Sequence, residues 1–394
     1  MAVVARTNGA RLGRTDNSSF GMWFWEIDRV LLVLAFVLIA VGLIAVAAAS
    51  PAAAQRYSGG STIVPPLTYF WKQLGWVAVG VPVMVGISML PRDQARRLAL
   101  GGAAFFSVLL AFVPILGSEA NGAQRWIGYG FARVQPSEFL KPCFVVALAW
   151  MLSLRAQDKT LPVIPLSGVI TATIALFLMK QPDFGQTIVF CTIWLALLML
   201  SGVSFRIMGA LAGLGGVGVV AAYLFYPVAT QRIDNFLFKS GDTFQIDNAY
   251  ATLTAGGFFG TGPGGGERKF GLPEAQTDYI FSVIGEEFGL IACMAVTLLF
   301  VAIAVRVFVK LLDEDDPFIV LASAGLAVQL VVQAMINIAV NVGLAPSKGM
   351  TLPFISYGGS SMIALCFGFG LLLALTRRNP YLKRSPYVVK WNGR

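Results

Sequence analysis

IDRVLLVLAFVLIAVGLIAVAAA, residues 27–49, is the stretch that decides the fold. A helix rises 1.5 Å per residue, so ~20 apolar residues cross the ~30 Å of hydrocarbon in a bilayer. This run reaches that length and exceeds the ~7–15 apolar residues of a secretory leader. The small-residue stretch AVAAASPAAA that closes it therefore reads as the end of a membrane helix, not a cleavage site. Outward from it, comparable runs lie near residues 68–90, 98–116, 137–153, 162–179, 185–202, 205–226, 281–311, 317–345 and 358–376. The predicted fold class is all-α: a polytopic membrane protein of ten transmembrane helices with one large extracytoplasmic loop, 227–280, between helices 7 and 8. Composition agrees, because 57% hydrophobic and 12% charged residues lie far outside the soluble range.

The predicted organisation is a cytoplasmic tail over 1–26, a single membrane domain over 27–376 and a cytoplasmic tail over 377–394. Ten crossings place both termini on one side, and that side holds 18 of the 29 Lys and Arg. Four of the remainder sit in the long loop, which the positive-inside rule discounts, so the termini are predicted cytoplasmic and the loop periplasmic. The net charge of +9 is spread over short loops and the tail, which argues against a nucleic-acid partner. The 227–280 loop carries ten charged residues. Each would cost about 2.5–3.5 kcal/mol at the bilayer centre, so the loop is predicted outside the hydrocarbon. Phe236, Phe238, Phe244 and Tyr250 predict an ordered loop that hugs the membrane.

Histidine is absent, which excludes Ser/His/Asp triads, imidazole metal ligands and a histidine base. Cys143, Cys191, Cys293 and Cys366 lie in apolar runs without CxxC spacing, so neither a disulfide framework nor a zinc site is predicted. Acid–base chemistry is left to carboxylates, lysine or tyrosine.

Asp278 is the leading candidate: it ends the polar loop where the chain re-enters the membrane, in LPEAQTDYIFSVIGEE, residues 272–287. Its competing reading is a helix cap. Glu138 and Lys141, three apart at a helix start, meet on one face either as a local ion pair or, with Arg125 and Arg133, as part of a site for an acidic headgroup. Gln329, Gln333, Asn337 and Asn341 form an i, i+4 stripe that either bonds between helices or walls a polar cavity. Lys348, Ser356 and Ser360 gather on a Pro/Gly-broken segment at the same predicted face. Gly260, Gly262 and Gly265 satisfy GxGxxG without the strand and helix of a nucleotide site, and are predicted to form a flexible turn. A nest for an anionic headgroup is the weaker reading of their backbone N–H groups.

Together GAQRWI, QPSEFLK, QPDFGQ, LPEAQTDYIFSVIGEE and PSKGMTLPFISYGGSS resemble the SEDS family of bacterial cell-wall polymerases, the FtsW/RodA/SpoVE proteins, from about Asp28 to Pro380. The resemblance implies a peptidoglycan glycosyltransferase that joins lipid II into β-1,4-linked glycan and releases undecaprenyl pyrophosphate. It implies that Asp278 is catalytic and that Arg125, Glu138, Lys141 and Asp183 serve the substrate. PSKG places the chain with the division branch, FtsW; the alternatives are an elongation polymerase of RodA type and a lipid II flippase. Gln276 stands where the family usually has histidine, so a histidine role there is absent. Lipid II and undecaprenyl-linked glycan are the implied substrates. The implied partners are a class B penicillin-binding transpeptidase of FtsI type and other divisome proteins, in the inner membrane at the division septum. A divalent cation, magnesium or manganese, is the candidate cofactor, with no residue assigned to it.

Overall fold

Asp28 stands between a short helix and the long one that it caps. In the computed structural model, which describes residues 19–59, 63–120, 123–128, 133–156, 158–238, 244–346 and 349–377, a short helix α1 (Ser19–Glu26) precedes the long α2 (Arg29–Tyr57). The Asp28 carboxylate accepts the Leu31 N–H at 3.1 Å as N-cap of α2. It also pairs with Arg306 at 3.0 Å and Lys310 at 3.1 Å, near the far end of the chain's longest helix. Residues 19–26 of the predicted tail are thus helical, and Trp23 fixes them by donating to Ser88 Oγ at 2.8 Å. α2 runs on past residue 49 to Tyr57 because Ala52, Ala53 and Ala54 are buried and favour helix, which offsets Pro51.

The remaining long helices are α3 (Thr68–Ser88), α4 (Arg92–Leu116), α5 (Pro136–Leu154), α6 (Val163–Lys180), α7 (Phe184–Leu200), α8 (Phe205–Phe225), α11 (Ile280–Leu311), α12 (Pro317–Asn341) and α13 (Gly359–Thr376). Among the described residues nine helices have the length and apolarity to cross a membrane, and α7, at 17 residues, is a shorter apolar tenth. α5, α12 and α13 form the centre: α13 packs along α3 and α5, and α12 along α5 and α7. At the other extreme α8 has no buried residue, so its apolar surface faces lipid.

The long loop is ordered over its described residues. It holds α9 (Pro227–Leu237), α10 (Phe244–Ala255) and a 3-10 turn at Arg268–Gly271. Its glycines do not form a flexible turn. Gly289 breaks α11 with φ 81° and ψ 178°, freeing N–H groups that the loop satisfies. Leu290 N donates to Gly257 O at 3.0 Å, and Ile291 N to Phe258 O at 3.3 Å. The glycine-rich N–H groups also have internal acceptors: Arg268 N and Lys269 N donate to the Glu286 carboxylate at 2.7 and 3.0 Å, and Gly264 N to Glu287 at 3.2 Å. The nest expected to meet an external anion is therefore filled by the protein's own carboxylates. Lys269 Nζ closes the arrangement on Glu287 and on Ala48 O of α2.

This docking is intolerant of side chains. A Cβ at Gly260, whose φ is 82°, would lie 2.2 Å from Glu287 O. Gly260→Ala is expected to destabilise the fold by at least ~2 kcal/mol through strain and overpacking. Gly209→Ala on α8, where a Cβ meets nothing within 4 Å, is expected to be neutral or slightly stabilising. Thermal unfolding in detergent reads both; equal melting temperatures would contradict the docking.

Candidate active site

Alternating crossings bring the ends of α4, α6 and α12 to the same face as the starts of α5, α7, α11 and α13. There a cavity of about 470 Å³ opens, with Asp278, Glu274, Arg125, Glu138 and Gln186 in its wall. Asp278 is half-buried. Its position is set through the backbone: Asn337 Nδ2 and Asn341 Nδ2 donate to the Asp278 carbonyl at 2.8 and 3.0 Å. The α12 stripe thus bonds between elements, and what it holds is the candidate carboxylate's own peptide. Asn341 Oδ1 also accepts from Ser282 N at 3.1 Å and Ser282 Oγ at 2.8 Å, tying the α11 start to α12. The N-cap position of α11 belongs to Tyr279, not Asp278.

Glu274 is the second carboxylate of this wall. Its backbone is left-handed, φ 51°, a conformation that costs a non-glycine residue about 1–3 kcal/mol. Its side chain accepts from Tyr57 Oη at 2.6 Å and Thr277 Oγ1 at 2.9 Å. Glu274 lies within the LPEAQTDYIFSVIGEE run that carries Asp278; Tyr57, Thr277 and Gln186 are not singled out by the sequence. Gln186 carries a readable signal, standing three residues after Asp183 within QPDFGQ. Tyr357 also lines the cavity, and burial pushes its hydroxyl pKa up, which keeps it a neutral donor.

Arg125 lies on a hairpin of β1 (Ser118–Ala120) and β2 (Ala123–Trp126) that sequence reasoning did not foresee. Its guanidinium donates to Gln181 O at 3.2 Å and to Pro182 O, and lies 3.7 Å from Asp183. Asp183 caps α7 by accepting Gln186 N at 3.3 Å and is buried. Arg125 therefore reaches the cavity, while Asp183 stands behind it.

Glu138 and Lys141 do form the predicted pair, Nζ to Oε2 2.8 Å, but inside the protein. Lys141 is 1% exposed, gives its other recorded contact to Gln333 Oε1 at 2.9 Å, and is not part of the cavity wall. The expectation that its charge faces an acidic headgroup does not match this placement, because Glu138 neutralises it. Glu138 itself reaches the cavity and accepts from Gln186 Nε2 at 2.7 Å. Ser356 and Ser360 are buried braces: Ser356 Oγ donates to Thr277 O at 2.6 Å and accepts Leu352 N, and Ser360 Oγ accepts Gln135 N. Arg133 is exposed, and Lys348 lies outside the described residues.

A family model described as cell cycle protein, that of the FtsW, RodA and SpoVE proteins, matches residues 28–381. The chain belongs to this family. It is similar to the probable peptidoglycan glycosyltransferase FtsW of Caulobacter vibrioides (strain NA1000 / CB15N), 38% identical over 93% of this chain and 93% of that one. The protein of the same name from Alkalilimnicola ehrlichii is 34% identical, over 98% and 96%. Among solved structures, a chain from a peptidoglycan synthase complex, described for its coordination of polymerization and crosslinking, superposes with TM-score 0.72 at 25% identity, covering 89% of this chain and 97% of that one. The rod shape determining protein RodA of Thermus thermophilus gives TM-score 0.65 at 26% identity, over 89% and 96%. The polytopic helical architecture of these structures is thus the fold of this chain.

Proposed function

We propose that this FtsW/RodA/SpoVE-family member is a peptidoglycan glycosyltransferase that polymerises lipid II during septal wall synthesis. The observation that carries the reading is Asp278: a half-buried carboxylate on a cavity wall at a helix-end face, its backbone clamped by two asparagines. In the mechanism Asp278 accepts the proton of the acceptor sugar's 4-hydroxyl. That oxygen attacks the anomeric carbon of the donor with inversion, the bond from that carbon to the diphosphate breaks, and undecaprenyl pyrophosphate leaves. A positioned base contributes ~10²–10⁴-fold, so alignment of the two lipid-linked chains supplies much of the rest.

Arg125 is the cation placed to meet the diphosphate. Among the described residues no three His, Cys, Asp or Glu side chains converge to hold a metal. A divalent ion carried by the substrate's own diphosphate would offset leaving-group charge there, with Asp278 left free as the base. Arg125→Ala is expected to raise KM for lipid II about tenfold, the loss of one charge-assisted hydrogen bond, with a smaller fall in kcat. Steady-state kinetics against lipid II concentration measures the split; a fall confined to kcat would move Arg125 into the transition state.

Both termini are assigned to the cytoplasm by the positive-inside count and the cavity to the periplasm. A class B penicillin-binding transpeptidase is the proposed partner, supported by the similarity to a chain of a complex that couples polymerization to crosslinking. The function is tested in proteoliposomes of the purified full-length chain supplied with lipid II. Glycan polymer is the expected product; translocation of lipid II without polymer would replace the enzyme by a flippase.

A further inference from the structure

At the end of the bundle opposite Asp278, a second cavity of about 550 Å³ lies between the ends of α5 and α7 and the start of α12. Its size is that of a small-molecule site. One wall is apolar, with Leu152, Leu200 and Leu321; the other carries Arg155 and Lys159. Arg155, the C-cap of α5, is half-buried, and Lys159 is exposed at the mouth. Among the described residues neither makes an ion pair or a side-chain hydrogen bond, while eight other ion pairs form. The acid between them, Asp158, is turned onto Thr160, accepting its N–H at 2.8 Å and its hydroxyl at 2.6 Å. Asp316 is spent capping Phe318 N at 2.9 Å. Within the cavity wall Asp315, exposed, is the one carboxylate set against the two cations Arg155 and Lys159, while Asp158, Asp313, Glu314 and Asp316 keep their charge outside that wall.

The depth is as telling as the charge. Helix ends mark the boundary between hydrocarbon and water, where a phospholipid places its phosphate and the acyl chains run inward along apolar side chains. We infer that this cavity binds the headgroup of an anionic phospholipid from the leaflet opposite Asp278, its single phosphodiester charge on Arg155 and Lys159 and its acyl chains along Leu200 and Leu321. A zwitterionic headgroup would bring its own cation up against Arg155 and Lys159. A free phosphate ion would use the cations without the apolar wall.

The purified full-length chain in detergent is titrated with phosphatidylglycerol, with phosphatidylcholine and with inorganic phosphate, and retained lipid is counted by native mass spectrometry. Phosphatidylglycerol is expected to be held in preference to phosphatidylcholine and not displaced by equimolar phosphate. Arg155→Gln and Lys159→Gln are each expected to weaken its retention about fivefold, as loss of one interfacial cation does. Arg155→Lys, which keeps the charge, should retain it. If Arg155→Gln fails to fold, Lys159→Gln, altered at an exposed loop position, carries the same test. Equal retention by wild type and the Lys159→Gln chain, absence of a preference between the two lipids, or displacement by inorganic phosphate would each overturn the inference.

Discussion

Glu138→Ala is expected to be among the most damaging single substitutions in the membrane core, costing about 3–5 kcal/mol. Glu138 and Lys141 are 5% and 1% exposed, and their contact is 2.8 Å. Removing the acid leaves an ammonium buried among apolar helices with Gln333 Oε1 as its remaining recorded acceptor. An amide oxygen solvates that charge without neutralising it. The double variant Glu138→Ala/Lys141→Met removes both charges, and replacing a buried pair by apolar groups is often neutral, so it should recover much of the loss. Thermal unfolding in detergent of both singles and the double yields the coupling. A Glu138→Ala chain as stable as wild type would mean that the ammonium is not buried and that Lys141 can turn toward a ligand.

That pair shows how far sequence reasoning reached. Spacing of three on a helix places Glu138 and Lys141 on one face, and they do meet. Which way the face points is a matter of how α5 rotates against α12 and α13, contacts made by residues nearly two hundred positions away, and no local pattern encodes it. The ten apolar runs were legible because twenty apolar residues in water have no other use. The break at Gly289 was not, since a glycine inside an apolar run is common in membrane helices and only the docked loop reveals that this one turns the chain. The α12 stripe was legible as polar. Its target, the carbonyl of Asp278, lies 59 and 63 residues away and became visible only in three dimensions. The glycine-rich loop was misread as flexible because its anion ligands, Glu286 and Glu287, stand on the next helix.

The central claim concerns Asp278. Asparagine has nearly the same shape and cannot take a proton under these conditions, so Asp278→Asn separates placement from chemistry. The backbone clamp from Asn337 and Asn341 acts on the carbonyl of residue 278 and is retained in the variant. The fold and the cavity should therefore survive, along with lipid II binding. A positioned general base contributes ~10²–10⁴-fold, and loss of polymer by at least that factor is expected. The measurement is paired, on one preparation: lipid II binding and glycan polymerisation by purified wild type and Asp278→Asn. The account predicts binding within a few-fold of wild type and no detectable polymer. Polymer formed at close to the wild-type rate would contradict it, leaving Asp278 a structural residue at the start of α11.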